Sequence, residues 1–182
     1  MNVFSLLFIR AIFAVSLLSW SSTALAQEDG SLRLDGELGY ACISDQENNR
    51  IDGGYGAADF AYTPNAMWSF RAGYALARHD SANRAFTAYQ PSVGVRYLLD
   101  VFTYVPWIEV SPTYFLTEGD APYSGLSVAV GVGVDWLQSP ETTIGVAVRA
   151  HALMEGEGEF PGYITIGVRL GRRWTLGDPF AP

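Results

Sequence analysis

The sequence contains no lysine, so all eleven of its permanently cationic side chains are arginines. Aspartate and glutamate together number 19, which gives a formal net charge of −8 at pH 7. Nucleic-acid binding relies on basic clusters that neutralise phosphates, so an acidic chain without a basic run is not expected to bind nucleic acid. Cys42 is the only cysteine. It therefore cannot form an intramolecular disulfide, and we expect it to be a small apolar wall residue.

Long hydrophobic runs are also absent after the N-terminal region, so residues 27–182 contain no candidate for a membrane-spanning helix. A membrane role for this part of the chain would need a β-barrel or surface contact. Before it, the apolar run Ala11–Trp20 follows a positive charge at Arg10, and the next residues end in Ala-Leu-Ala. This layout predicts a cleaved secretory signal peptide over residues 1–26. An uncleaved anchor is disfavoured, because a spanning helix needs about 20 apolar residues.

Residues 27–182 have the length of one domain and alternate polar with apolar residues in eight segments. Gly125–Trp136 is the clearest, with leucine, valine and tryptophan alternating with glycine, serine, alanine and aspartate. Alternation over about ten residues predicts a strand with one apolar and one polar face. The fifth segment is less regular, because Pro106 and Pro112 each remove a backbone donor. The predicted strands are Ser31–Cys42, Gly54–Tyr62, Met67–Ala77, Ala88–Leu99, Tyr104–Phe115, Gly125–Trp136, Thr143–Leu153 and Tyr163–Trp174.

The residues opposite the large apolar side chains are mostly glycine, alanine and serine, with isolated charges. Small residues relieve crowding inside a barrel of about eight strands, whereas a water-exposed face would carry more long polar side chains. The apolar face is therefore predicted to point outward to lipid, and not inward as in a soluble sandwich or lipocalin-like barrel. Aromatic residues near many segment ends fit the interfacial girdles of membrane barrels. These residues are Trp68, Tyr74, Tyr97, Tyr104, Tyr114, Trp136 and Trp174.

The connections between predicted strands alternate in length. The short ones are Thr63–Ala66, Asp100–Thr103 and Leu137–Thr142. The longer and more polar ones are Ile43–Gly53, Arg78–Thr87, Leu116–Ser124 and Met154–Gly162. Short periplasmic turns, longer outer loops and periplasmic termini are the plan of outer-membrane barrels. The acidic tract at residues 155–159 lacks the spaced ligands of a calcium loop, so no metal site is predicted there.

Together, the even strand number, the size and the final strand resemble the small eight-stranded outer-membrane β-barrels of the OmpA/OmpX-like superfamily. The resemblance covers Ser31 to Trp174, and its last strand reads YITIGVRLGRRW. It implies a single antiparallel up-and-down transmembrane barrel over residues 27–182. It also implies recognition of the last strand by the barrel assembly machinery of a Gram-negative bacterium. Many members end on the aromatic residue itself, whereas here Thr175–Pro182 follow.

In each predicted strand, every second residue belongs to the polar face. Assigning these residues to the lumen places five acids, five arginines and one histidine there. Charges shielded by lipid are costly unless they are paired, and the planar guanidinium group can grip a carboxylate with two bonds. Eight strands leave little free bore, which favours a neutralised plug over an ion-conducting path. Arg173 has the same parity, but we expect water to reach it at the strand end. The predicted network is Arg33, Asp35, Glu37, Asp59, Arg71, Arg96, Glu109, Asp135, Arg149, His151 and Arg169.

A catalytic site is not predicted, although some eight-stranded barrels modify lipid A. The deacylases among them use a His-x-Ser pair, whereas His151 is followed by Ala152 and Leu153. An acid and a base without the serine do not form that triad. We expect His151 to be a lumen histidine that is hydrogen-bonded to a carboxylate. His79 precedes Asp80 and Ser81, and we interpret this group as ordinary loop polarity.

The sequence therefore favours a non-enzymatic outer-membrane barrel with a closed lumen, a structural or envelope-integrity role and at most minor pore activity. Its expected partners are outer-membrane lipid, lipopolysaccharide and, during insertion, the assembly machinery; it is expected to be a monomer without cofactor or metal. Two alternatives stay open. One is an outer-membrane enzyme that modifies lipid A or phospholipid, and the other is a soluble periplasmic barrel that binds an apolar ligand.

Overall fold

The structure is a computed structural model that describes residues 30–44, 50–80, 85–99, 103–120, 122–154 and 162–176. The predicted signal peptide, the acidic tract at 155–159 and the end of the chain lie outside these residues. Eight antiparallel strands form one closed barrel in which each strand pairs with its sequence neighbours and β1 pairs with β8. The strands are β1 (Ser31–Ser44), β2 (Arg50–Asn65), β3 (Trp68–Asp80), β4 (Ala85–Leu98), β5 (Tyr104–Gly119), β6 (Tyr123–Leu137), β7 (Thr142–Leu153) and β8 (Gly162–Thr175). The predicted all-β, eight-stranded up-and-down barrel is confirmed.

The two ends of the barrel are distinguished by the termini. Ser31 pairs with Thr175, so the first and last strands begin and end together. We call this the terminal end, which also carries the β2–β3, β4–β5 and β6–β7 connections; the opposite end is the distal end. Within the described part of the chain, no helix is long and apolar enough to cross a membrane.

The strands alternate as the sequence predicts. In β6, Val130 and Val132 are about half exposed on the outside, whereas Ala129 and Gly131 are buried inside. The same alternation of buried and exposed residues runs through the other strands. Large apolar side chains therefore cover the outer surface, and small or charged residues line the lumen.

The strands are longer than predicted at the distal end, and this corrects the expected contrast in loop length. The connection between β1 and β2 is residues 45–49, and that between β3 and β4 is residues 81–84. Several polar residues that we expected in loops, including Asp52, Asp80 and Glu118, lie in strands. The ladder continues because the neighbouring strand supplies hydrogen-bond partners; Phe86, for example, pairs with Gly119.

The two prolines of β5 do not interrupt the barrel. Each lacks the backbone N–H that would bond β4, but the rest of the strand pairing is kept. The Pro106 carbonyl, for example, still accepts a hydrogen bond from the Leu99 amide at 2.8 Å. Near Pro112, β4 and β5 are paired at Ser92–Thr113 and next at Val95–Val110, and the positions between these two pairs are not paired. On the other side, Pro112 keeps its place opposite Val128 in β6.

Candidate functional site

The lumen contains the candidate site, because the chemistry-bearing side chains of the barrel converge there. All eleven predicted network residues are buried inside the barrel. They come from all eight strands, and the strand alternation alone determines that they point inward. Arg173 is buried as well, and its Nε donates to the Pro140 carbonyl at 3.0 Å. The expectation that water reaches Arg173 is wrong, because the β6–β7 connection packs against it.

Near the terminal end, two aspartates share two arginines. Arg33 donates from Nε to Asp35 at 2.5 Å and from Nη2 to Asp135 at 2.7 Å. On the opposite side, Arg169 Nη2 lies 2.6 Å from Asp35, and its Nη1 lies 3.7 Å from Asp135. Each carboxylate therefore faces two guanidinium groups, which offsets the cost of burying its charge.

Glu109, near the middle of the lumen, is the centre of a second group. Its Oε1 accepts hydrogen bonds from Arg149 at 2.6 Å and from Arg71 at 3.0 Å. Its Oε2 accepts from Arg96 at 2.8 Å and 3.1 Å, in a two-bond fork. One carboxylate thus pairs with three arginines from three different strands. Such charge-assisted bonds are stronger than neutral ones, so Glu109 is a central tie between β3, β4, β5 and β7.

The two groups join into one network. Arg149 grips Glu37 with contacts of 2.7 Å and 2.9 Å, and Glu37 lies 3.7 Å from Arg169. Arg96 reaches to within 4.0 Å of Asp35, and Arg71 holds Asp59 at 3.2 Å. The five arginines and five acids are thus connected and formally neutral. Charge balance explains how so many ions are buried within one barrel.

Trp107 is a central lumen residue that the sequence analysis missed. Its ring lies under the guanidinium of Arg96 at 4.3 Å and of Arg169 at 4.9 Å, measured from Cζ to the ring centroid. It is 1% exposed and packs with an apolar cluster at the terminal end. The strand parity could have found it, since Trp107 has the same parity as Glu109. The aromatic face supports the arginines where carboxylates do not cover them.

Lumen-facing glycines make room for the acids. Asp35 pairs across the ladder with Gly171, and Asp135 pairs with Gly145. A Cβ at either glycine would lie 2.2 Å from the carboxylate oxygen of its partner. The same close approach occurs at Asp59 over Gly73, Glu109 over Gly131 and Glu37 over Gly167. The small residues of the lumen face are therefore places where a neighbouring acid lies flat against the wall.

Toward the distal end, the lumen is filled by apolar and aromatic side chains. Phe115 and Tyr163 meet edge to face at 5.0 Å, and both are fully buried. His79 lies in β3, not in a loop as expected, and stacks on Phe86 at 4.7 Å. The sequence analysis missed this cluster. Phe86 lies outside the predicted strands, whereas Tyr55, Phe115 and Tyr163 lie at or near the ends of predicted strands and were not recognised as a group that fills the lumen. Its members are Ala41, Ile43, Ile51, Tyr55, Ala75, Ala77, Phe86, Ala88, Phe115 and Tyr163.

His151 lies between the ionic network and the distal cluster. Its ring meets Tyr163 edge to face at 5.2 Å, and neither ring nitrogen has a hydrogen-bond partner in the described part of the chain. The expected hydrogen bond from His151 to a carboxylate is therefore not formed. Among the described residues, no group of histidine, cysteine, aspartate and glutamate is placed to hold a metal ion.

The predicted girdle residues lie on the outer surface. Five of them are near the terminal end, where Trp68 meets Tyr97 edge to face at 5.0 Å and Tyr104 stacks on Trp136 at 6.4 Å. The fifth, Trp174, is near the end of β8. Tyr74 and Tyr114 lie farther along β3 and β5. Their role at a membrane interface remains a prediction.

No protein-family model matches the sequence, and no curated protein matches it. Among solved structures, the barrel is similar to Neisserial surface protein A, with a TM-score of 0.69 and 13% identity over 81% of this chain and 100% of that chain. It is also similar to the N-terminal barrel domain of Pseudomonas aeruginosa OprF, with a TM-score of 0.58 and 10% identity over 80% and 98% of the two chains. A third is Ail, the attachment invasion locus protein of Yersinia pestis, with a TM-score of 0.56 and 14% identity over 81% and 100%.

At these identities the likeness concerns the fold. It confirms the architecture that the OmpA/OmpX-like resemblance implied. The chain has the closed, eight-stranded, up-and-down fold of the small outer-membrane β-barrels.

Proposed function

We propose that this protein is an outer-membrane barrel that spans lipid with its strands, has a closed lumen and serves a structural role in the envelope. The observation that carries the proposal is the inversion of polarity: a neutralised ionic network inside and large apolar side chains outside. Val132, Leu170 and Val168 are about half exposed, as are similar residues around the barrel. So large an apolar surface is unfavourable in water and fits contact with lipid.

Arginine at a lipid-facing position tests the membrane proposal. We expect Val132→Arg, near the middle of β6, to lower the free energy of unfolding in phospholipid vesicles by about 2–4 kcal/mol. Ser124→Arg is the matched control, because Ser124 lies on the outer face of the same strand at its distal end. There the expected cost is about 0–1 kcal/mol. Denaturant unfolding, followed by the heat-modifiable gel migration of the folded barrel, measures both. Equal tolerance of the two arginines would contradict a lipid-facing surface.

The soluble alternative is a periplasmic barrel that binds an apolar ligand inside. It is disfavoured because the lumen of this barrel holds ions and tightly packed aromatic residues, and the apolar face points outward. Cell fractionation distinguishes the two functions. We expect the protein in the outer-membrane fraction, and recovery wholly in osmotic-shock fluid would refute the proposal.

Two groups of side chains, one after the other along the barrel axis, support a closed lumen. The ionic network and Trp107 occupy the terminal half, and the distal cluster occupies the other half. We expect planar-bilayer recordings of the purified barrel to show no large steady channels, with protein-free detergent as the baseline. Steady openings of porin size would contradict a lumen blocked by these side chains.

The enzyme alternative is disfavoured by the surroundings of the two histidines. His151 meets Tyr163, and His79 stacks on Phe86, so neither ring forms a nucleophile–base–acid arrangement with described residues. Mass spectrometry of lipid A from cells with and without the protein tests this. An unchanged acyl pattern is expected, and an altered one would favour the enzyme.

The proposed partners are outer-membrane lipid and lipopolysaccharide, with the barrel assembly machinery acting on β8 during insertion. We place the terminal end in the periplasm, because the first and last strands begin and end there and the β2–β3 turn at this end, residues 66–67, is short. The barrel is closed by the pairing of β1 with β8, which leaves no free strand edge for a second copy. A monomer is therefore the proposed state.

A further inference from the structure

A small cavity lies between the ionic network and the distal cluster. Its wall is built by residues from six strands, including Arg71, Gln90, Ser111, Arg149 and His151. The volume open to the centre of a water-sized sphere is about 10 Å³, which admits one small particle. Arg71 and Arg149 belong both to the network and to the cavity wall, so the chemistry of the cavity depends on those of their N–H groups that the network leaves unpaired.

The wall offers several buried polar groups that have no hydrogen-bond partner in the described part of the chain, and those of its two arginines can only donate. Arg71 Nε and Arg149 Nη2 make no hydrogen bond with the described part of the chain, and the same is true of Ser111 Oγ and both nitrogens of His151. All four side chains are more than nine-tenths buried. A buried donor without a partner costs about 1–3 kcal/mol, and more when it is charged. An acceptor in the cavity would remove this cost at several donors together.

The charge of the wall is positive. Two guanidinium groups line the cavity, and among the described residues that line it there is no carboxylate. Glu109 is bonded to both of these arginines, yet its two oxygens are already occupied by Arg71, Arg96 and Arg149. Arg71 Nε and Arg149 Nη2 make no hydrogen bond with Glu109 or with another described residue, so both are left for another acceptor.

We propose that this cavity binds one monatomic anion, a halide such as chloride. A halide accepts several hydrogen bonds from different directions and donates none, which matches a wall of guanidinium, hydroxyl and imidazole donors. A water molecule also fits the space, and the hydroxyl groups of Ser92, Ser111 and Thr113 can accept its hydrogens, so water is the competing occupant. The two guanidinium groups of the wall favour an anion over water, and the anomalous signal of bromide distinguishes the two occupants. Larger anions such as sulfate exceed the space. The site lies inside the barrel, so the proposal is independent of the cellular location and of the envelope role.

Bromide provides the direct test, because it replaces chloride and scatters X-rays anomalously. We expect crystals of the folded barrel grown in bromide to show one anomalous peak between Arg71, Arg149 and Ser111. The variant Ser111→Ala removes one donor and is expected to weaken halide affinity about tenfold. Ser69→Ala is the matched control, because Ser69 is a buried lumen serine that bonds Thr63 and does not line the cavity. We expect wild-type affinity there.

Solution stability gives an independent measurement of the same site. When free halide exceeds the dissociation constant, each tenfold rise in its concentration is expected to lower the unfolding equilibrium constant tenfold. This effect is measured relative to sulfate at equal ionic strength, and the difference between the two salts is the halide-specific effect. Ala129→Leu, which places a larger side chain on the cavity wall, is expected to abolish the stabilisation by halide relative to sulfate. Heat-modifiable migration shows that each variant is folded. A water peak without anomalous signal, or equal effects of halide and sulfate on the wild type, would overturn the proposal.

Discussion

Replacement of Glu109 by glutamine is expected to lower the free energy of unfolding of the barrel by about 3–5 kcal/mol, the largest effect of any single charge in the lumen. Glutamine keeps the shape of the side chain but removes the charge that Arg71, Arg96 and Arg149 share. The remaining acids do not replace it. Three buried guanidinium groups would then depend on Glu37, Asp35 and Asp59 at their other contacts.

The control for this change is Glu118→Gln, which alters the same residue type on the same strand. Glu118 is exposed and accepts one hydrogen bond from Tyr89 at 3.2 Å, so its loss is expected to cost no more than about 0.5 kcal/mol. Urea unfolding of both variants in the same vesicles makes the comparison.

A second substitution separates charge balance from packing. Adding Arg96→Gln to the Glu109→Gln variant removes one unpaired cation, so the double variant is expected to lose less stability than the sum of the two single changes. If the costs of the single changes simply add, or if Glu109→Gln behaves like Glu118→Gln, then the shared charge of Glu109 does not stabilise the barrel.

Truncation of Trp107 to alanine is expected to cost about 3–5 kcal/mol, for a different reason. The indole fills the lumen beneath Arg96, Arg169 and Arg149, so its removal leaves a cavity and uncovers three guanidinium groups. The indole Nε1 makes no hydrogen bond with the described residues, so the loss is one of packing and of cation–π contact. Denaturant unfolding again measures the cost.

Two further variants separate the contribution of packing from that of the cation–π contacts. Trp107→Leu keeps apolar volume but removes the aromatic face, so it is expected to retain most of the packing and lose up to about 2 kcal/mol of cation–π energy. Trp136→Ala removes a tryptophan from the outer surface near the same end and is expected to cost markedly less than Trp107→Ala, because it opens no cavity in the lumen. Similar losses for the two tryptophans would show that Trp107 does not organise the arginines.

The sequence by itself determined the strand number and, wherever polar and apolar residues alternate regularly, the direction of the side chains. Alternation is a local property with a period of two, so Asp135 in β6 and Arg169 in β8 could be assigned to the lumen without knowledge of their neighbours. The balance of five arginines against five acids followed from the same parity. The outward direction of the valines in β6 could likewise be read from the glycines and alanines between them.

Only the tertiary structure decided which charges meet. Arg149 and Glu37 are 112 residues apart, and their contact depends on the closure of β1 onto β8 and on the stagger of the strands. The strand ends at the distal side also escaped the sequence, because ladder bonds from a neighbouring strand extend a polar segment that has no alternation of its own. For this reason His79 and Phe86 join a buried cluster instead of a loop. The sequence therefore specifies the face of a side chain where the alternation is regular, and the closed barrel specifies its partner, since pairing across a lumen is set by non-local geometry.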